Sequence, residues 1–386
     1  MKQFAILLVA ALLFSCNQNP NKGTNLFTLE GNIQGLELDT MYRNIPNPAM
    51  KNGYSYDTIL VKDGKFSYTF EVENPELITI YPRMEKLVKR VDENGYFPTA
   101  AAYITFIAEP GQVAKIDGDI QDFMNAYPSG NQSNDELAIL IKQTFPLINK
   151  GVNYRLNSVL NRGDTALVDK NSAEIKLLEE EVLKINQKFI EENPSSFVSL
   201  FQLSQLVERN SAPEEWSISQ FKNLGQNLHS HEKYMNLAIR INAIETTKVG
   251  NPAPTFVSDN TYNNTTFAIE QLKGKYVVID FWGTWCGPCI YEMPKMKEYY
   301  DRYKDKMEIV GIAQESSNDR WYKFLEKNDY PWTQVLNDKK ENDLVVKYNV
   351  HSFPTKFVLD QDGKIIQKYV GGVEGFYEFM DQILGE

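Results

Sequence analysis

Cys286 and Cys289 have two residues between them and follow, after Gly283-Thr284-Trp285, on the run Val277-Val278-Ile279-Asp280-Phe281-Trp282. An almost unbroken apolar run reads as a strand buried on both faces, and Gly287-Pro288 between the cysteines suits the first turn of a helix, where proline loses no donor. The first amides of a helix lack intrahelical partners and carry positive partial charge, so a thiolate at that end is stabilised. Cys286 at the helix mouth is therefore expected to ionise more readily than a free thiol and to attack a disulfide. Cys289, one turn further in, is placed to resolve the mixed disulfide. The short spacer brings the sulfurs within bonding reach. Trp285 is placed to shield the pair and to offer a docking face. This is exchange chemistry that needs no cofactor beyond the dithiol itself.

A zinc half-site and a structural staple compete with that reading. Zinc would need two further ligands, and the remaining candidates are Cys16 and the histidines at 229, 231 and 351, which form no second pair. His229 and His231 would lie on different faces of a helix. No metal site is expected. A staple closing so short a loop would constrain the unfolded chain little.

Asp280 through Cys289 resembles the thioredoxin active site, and the extension Cys286-Gly287-Pro288-Cys289-Ile290-Tyr291-Glu292-Met293-Pro294 resembles the TlpA-like, envelope-facing branch of that family. The resemblance covers roughly the last third of the chain. It implies a protein-disulfide oxidoreductase. Pro354, in Ser352-Phe353-Pro354-Thr355, matches the family's cis-proline, and the backbone of Phe353 before it would pair with an extended substrate facing the dithiol. Phe353 is larger than the residue usual there, which alters the substrate platform. Asp280 matches the buried acid beneath the dithiol and would take the proton of Cys289. Glu292, three residues after Cys289 on the same helix face, matches the TlpA-like glutamate. Having both acids is a departure from that branch. Pro294 is expected to kink the helix by deleting a backbone hydrogen bond. The Gly-Pro spacer is that of thioredoxin, a low-potential protein, which points to a reductant.

At the other end, Lys2 precedes an apolar run from Phe4 to Phe14, shorter than the ~20 residues needed to cross a bilayer. It reads as a signal peptide over residues 1–15. Leu13-Phe14-Ser15-Cys16 resembles a bacterial lipobox, with Phe14 bulkier than usual, which implies a lipid on Cys16 and a polar tether over 16–25. Asn17 in place of Asp implies sorting to the outer membrane. The expected location is the periplasmic face of the cell envelope, the expected partners being envelope proteins with exchangeable disulfides and a membrane thiol donor. Cytochrome c maturation is one process that the resemblance allows. A formal net charge of −11 without a basic stripe argues against nucleic acid and against an electrostatic hold on anionic lipid.

The elements that position the dithiol follow from periodicity. Residues 26–130 are β-rich: Phe27 to Ile33 alternates, Ile59, Val61, Phe66, Tyr68 and Phe70 flank the turn Asp63-Gly64, and Tyr103 to Ile107 precedes Pro110-Gly111 and a strand from Val113. A hairpin-built, sandwich-like domain is expected, resembling the β-rich domain of unknown function found ahead of TlpA-like domains. Residues 131–248 switch to helical spacing, as in Ile175, Leu178, Val182, Ile185 and Phe189, with a stop at Asn193-Pro194. The Pro-punctuated passage from Thr246 to Pro254 reads as a linker into an α/β thioredoxin-like domain over 249–386. Two other functions stay open. One is a binding or scaffold lipoprotein working through the first two regions. The other is a thiol peroxidase, ranked below because similar families carry Thr three residues before the reactive cysteine, where this chain has Gly283.

Overall fold

The computed structural model describes residues 25–47, 50, 53–338, 342–372 and 374–385. The expected signal peptide, the lipid site Cys16 and nearly all of the tether lie outside the described residues. The chain forms two compact units, residues 1–199 and 200–386, so the expected helical middle is divided between them. Among the described residues no helix is long and apolar enough to cross a membrane.

In the first unit, β1 (Leu26–Gln34), β2 (Thr40–Pro46), β3 (Tyr54–Leu60), β4 (Lys65–Glu71), β5 (Glu76–Ile80), β6 (Ile104–Ala108), β7 (Val113–Ile120) and β8 (Met124–Ser129) precede α1 (Gln132–Leu160) and α2 (Thr165–Glu192). A four-stranded sheet has the order β8-β7-β1-β4, while β2 pairs with β3 and β5 with β6. Alternate side chains of these strands, among them Phe27, Leu29, Ile59, Phe66, Phe70, Phe106 and Ile116, share one core. The Asp63-Gly64 turn is present, with φ of 51° and 74°. Gly64 has to be glycine, because a Cβ there would come within 2.4 Å of the Ile33 carbonyl oxygen. The hairpin expected around it stops at the Lys62–Lys65 rung: β3 turns to β2 and β4 to β1. β1 also pairs in parallel with β7, a pairing between strands far apart in sequence that no turn announces.

The helices of this unit grow out of the sheet. Asn134, fully buried in the first turn of α1, accepts from Ile107 N at 2.9 Å and donates to Ile107 O at 2.7 Å, satisfying both backbone groups of a β6 residue. α1 then packs along α2, with Asn171 donating to Ser158 Oγ at 3.0 Å. In the turn between them Asp164 N donates to Asn161 O, and the Asp164 side chain caps α2 by accepting from Leu167 N.

The second unit opens with α3 (Phe197–Glu208), which crosses the division, then α4 (Glu214–Asn223) and α5 (Glu232–Thr246). His231 caps α5 by accepting from Lys233 N, and His229 Nε2 faces Leu224 O at 3.3 Å, so each imidazole has a local structural contact. There follow β9 (Tyr276–Trp282), α6 (Gly287–Tyr303), β10 (Met307–Ala313), α7 (Asn318–Asn328), β11 (Thr333–Leu336), α8 (Leu344–Lys347), β12 (Thr355–Leu359), β13 (Ile365–Val370) and α9 (Phe376–Leu384). The sheet order is β11-β10-β9-β12-β13, parallel on the β10 side of β9 and antiparallel on the β12 side. The passage read as a linker is part of this sheet's edge: Gly250 N donates to Ile365 O, Ile365 N to Asn251 O and Ala253 N to Gly363 O.

Each face of the sheet has its own core. Ile279 and Phe281 of β9 and Phe357 of β12 pack with Val310, Ile312, Leu344 and Tyr348 on one side. On the other, Val278 and Val358 meet Met296 of α6 and Phe376, Tyr377 and Met380 of α9, while Trp282 meets Cys289 and Met293 of α6 and Trp321 of α7. α6 turns Cys289, Glu292, Met293 and Met296 inward, the three- and four-residue spacing of a helix face. Pro294 lies inside α6, which nevertheless continues to Tyr303.

Candidate active site

β9 delivers the dithiol to the first turn of α6, as its apolar run requires. Cys286 is the N-cap, with extended backbone, and its Sγ accepts from Cys289 N at 3.3 Å. The two sulfurs are joined in a disulfide, Cα atoms 5.3 Å apart. Gly287 and Pro288 are exposed at the helix mouth. Both cysteines are buried, Cys286 at 4% and Cys289 at 2% exposure, so the first sulfur is less open than its position in the sequence suggests. Phe353 packs against the cluster that holds both cysteines. Trp285, 52% exposed, stands edge-on to Phe353 with ring centroids 5.2 Å apart, and its Nε1 donates to Gln314 O at 2.7 Å.

The loop leading to Cys286 is held from the end of β10. Thr284 N donates to the buried Glu315 Oε1, while Arg320 Nη2 donates to Glu315 Oε2 at 3.4 Å. Gln314 N donates to Trp282 O at 2.9 Å, and Gln314 Oε1 accepts from Asn337 Nδ2 at 2.7 Å. A Cβ at Gly283 would lie 2.5 Å from Trp285 Nε1 and 3.0 Å from Gln314 O. A threonine at 283, which the peroxidase reading wants, would thus have to displace Trp285. Gln314 and Glu315 escaped the sequence reading, since they reach the site through a parallel crossover rather than through the motif.

Behind the dithiol, Asp280 and Glu292 are brought together by a residue that sequence reasoning did not single out. Asp280 points from β9 into the layer under α6, between Val278 and Trp282 in the strand's alternation, and Glu292 enters the same layer from the helix. Lys356 of β12 lies between them, Nζ 2.7 Å from Glu292 Oε2 and 3.0 Å from Asp280 Oδ1. Burial alone would lower the lysine's pKa, but the two carboxylates outweigh it and hold it above the ordinary value. A signal was present: Lys356 interrupts Thr355-Phe357-Val358-Leu359, a run buried throughout, and a charge there has to be paired.

The Phe353–Pro354 peptide is cis, as the resemblance implies. Pro354 lies just before β12, which runs antiparallel to β9. His351 Nε2 faces Asn349 Oδ1 at 2.7 Å and its Nδ1 faces Glu208 O at 3.2 Å. Among the described residues no group of three or more His, Cys, Asp or Glu side chains is arranged to hold a metal ion.

A family described as thioredoxin-like matches residues 274–365, and a domain of unknown function, DUF4369, matches residues 27–137. The thiol-disulfide oxidoreductase ResA of Bacillus anthracis is 34% identical over 128 residues, 33% of this chain and 72% of that protein. The thioredoxin-like protein YneN of Bacillus subtilis (strain 168) is 36% identical over 125 residues, 32% of this chain and 71% of that one. A crystal structure of the thioredoxin domain of a Bacteroides vulgatus thiol-disulfide oxidoreductase has 28% identity and a TM-score of 0.33, covering 36% of this chain and 99% of its own. The chain belongs, through the domain that carries Cys286 and Cys289, to the thioredoxin-like family of thiol-disulfide oxidoreductases.

Proposed function

We propose that this chain is a disulfide reductase tethered to the bacterial envelope by a lipid on Cys16, with Cys286 as the attacking sulfur and Cys289 as the resolving one. The observation that carries the reading is the disulfide at the mouth of α6, with Cys286 as N-cap and its sulfur on the Cys289 amide. In the reduced protein the first α6 amides and the positive helix end favour a thiolate at Cys286. That thiolate attacks a client disulfide, forming the mixed disulfide and expelling the client's other sulfur as a thiolate. Cys289 then gives up its proton and attacks Cys286 Sγ. The Cys286–client bond breaks, the client leaves as a thiolate that takes a proton, and the enzyme ends as its disulfide. The dithiol is oxidised by two electrons and the client disulfide reduced by two. Clients are envelope proteins with exchangeable disulfides, docking on Trp285 and on the backbone of Phe353 before Pro354. A membrane thiol donor resets the pair. Asp280 and Glu292 form the acidic pair that serves the Cys289 proton, Asp280 the more strongly.

Cys289→Ala tests the cycle. Loss of the intramolecular thiol should leave clients bound to Cys286 in envelope extracts, whereas Cys286→Ala should capture few, and non-reducing electrophoresis with mass spectrometry reads both. If Cys289→Ala traps nothing beyond Cys286→Ala and the purified protein exchanges with no disulfide, the chain works instead as a binding or scaffold lipoprotein. Fatty-acid labelling that is equal in wild type and Cys16→Ala would remove the tether from the reading.

A further inference from the structure

Lys356 is 1% exposed, and the dithiol cycle set out above gives it no part. β12 runs antiparallel to β9 with Lys356 directly opposite Asp280, and opposed residues share a face. That face is otherwise apolar. Val278 and Trp282 flank Asp280, Val358 follows Lys356, and α6 adds Met293 and Met296. Taking charges out of water costs several kcal/mol per ion, and an apolar side chain in such a layer is often as stable. An ammonium kept there only for packing would need one carboxylate, and Lys356 has two.

The charge balance follows directly. With all three groups ionised, one ammonium faces two carboxylates, leaving one negative charge in a layer closed to water. A single proton delivered to either acid leaves the cluster neutral. The two acids are not equivalent. Glu292 Oε2, at 2.7 Å, accepts the shorter and better-directed hydrogen bond from Lys356, whereas Asp280 Oδ1, at 3.0 Å, is held in the ion pair with poorer hydrogen-bond geometry. Glu292 therefore holds the lysine, and Asp280 keeps an open acceptor. The other groups facing the cluster come from α9 and α6. The Tyr377 phenol, raised by burial and then by Glu292 and Asp280, stays neutral, and Lys295 lies over its ring at 3.9 Å on the exposed side, near Glu298.

We propose that Lys356 is a positioning residue for the resolving step: it fastens Glu292 and leaves Asp280 as the acceptor of the one proton that Cys289 gives up. The proposal rests on the dithiol cycle above. In that step the Cys289 S–H bond breaks and its proton goes to the Asp280 carboxylate. The sulfur's electron pair forms the bond to Cys286 Sγ, and the Cys286–client bond breaks with its pair on the client sulfur. The departing thiolate is protonated by the same carboxyl or by solvent. Glu292 is three residues from Cys289 on α6, a spacing that brings Cβ atoms to about 5–6 Å.

The test mixes reduced full-length protein with oxidised glutathione across pH and follows both phases, mixed-disulfide formation at Cys286 and its resolution by Cys289. Lys356→Met should leave the first phase unchanged. It should move the rising limb of the resolution profile about one pH unit or more to the alkaline side, about tenfold slower at a fixed pH on that limb. A folded Lys356→Met protein with the wild-type resolution profile would overturn the proposal. If that variant does not fold, Lys356→Gln, which keeps a hydrogen-bond donor for Glu292 and removes only the positive charge beside Asp280, carries the same test: an alkaline shift supports the role and an unmoved profile refutes it. Absence of the first phase in wild type would sink the dithiol cycle, and with it this role.

Discussion

Trp285→Ala should open the dithiol to small reagents. Cys286 is only 4% exposed although it stands at a helix mouth, and the aromatic pair of Trp285 and Phe353 is fixed by two interactions. The edge-on ring contact is worth about 0.5–1.5 kcal/mol and the Nε1 hydrogen bond to Gln314 O about 0.5–1.5 kcal/mol. Together they hold the cover shut by about 1–3 kcal/mol, which makes the open form roughly 5- to 150-fold rarer than without them. The expected outcome is reduction of the Cys286–Cys289 disulfide by glutathione that is faster by a factor in that range, measured by acid quench and alkylation. Stability should fall by a similar amount, about 1–3 kcal/mol, because the same two interactions are lost from the folded state. Phe353→Ala should act in the same direction. Exchange with a folded protein client should not gain, because the docking face is lost along with the cover. If Trp285→Ala melts like wild type and reacts with glutathione at the wild-type rate, the aromatic pair does not control access and the argument fails.

Glu315→Ala should destabilise the second unit by about 1–3 kcal/mol by stranding Thr284 N–H, and should slow attack by Cys286, while Glu315→Gln, which keeps an acceptor, recovers most of both; melting curves and exchange rates check this. In the first unit, burial would raise the pKa of Asp122, but hydrogen bonds from Lys89, Asn149 and Asn153 outweigh it and hold the carboxyl below its ordinary value. A depressed carboxyl gives stability that is present above the unfolded pKa of about 3.9 and lost as pH falls through the folded one. Asp122→Asn should therefore cost about 1 kcal/mol at neutral pH after solvent screening and converge with wild type in acid; a gap that stays constant with pH refutes the charge argument.

What the sequence determined by itself is what neighbours along the chain can determine. The run from Val277 to Trp282 reads as a buried strand, the Cys-Gly-Pro-Cys spacing puts two sulfurs on one helix turn, and the inward stripe Cys289-Glu292-Met293-Met296 follows from helical period. Pro354 ahead of β12 was legible through the resemblance of Ser352-Phe353-Pro354-Thr355 to the family's cis-proline loop. Tertiary structure decided everything that depends on which distant segment arrives at a given face. The parallel pairing of β1 with β7, the early end of the Asp63-Gly64 hairpin and the use of residues 250–253 as a sheet edge join segments with no turn between them. Glu315 meets Thr284 only because β10 ends beside β9. Asp280 and Glu292 could be chosen as candidates from the motif, but one fact needs the antiparallel register of β12 on β9: the two acids share a single buried lysine. Local spacing fixes which groups a strand or helix presents. Only the packing of the sheet against α6, which excludes water from that layer, sets their charges against one another.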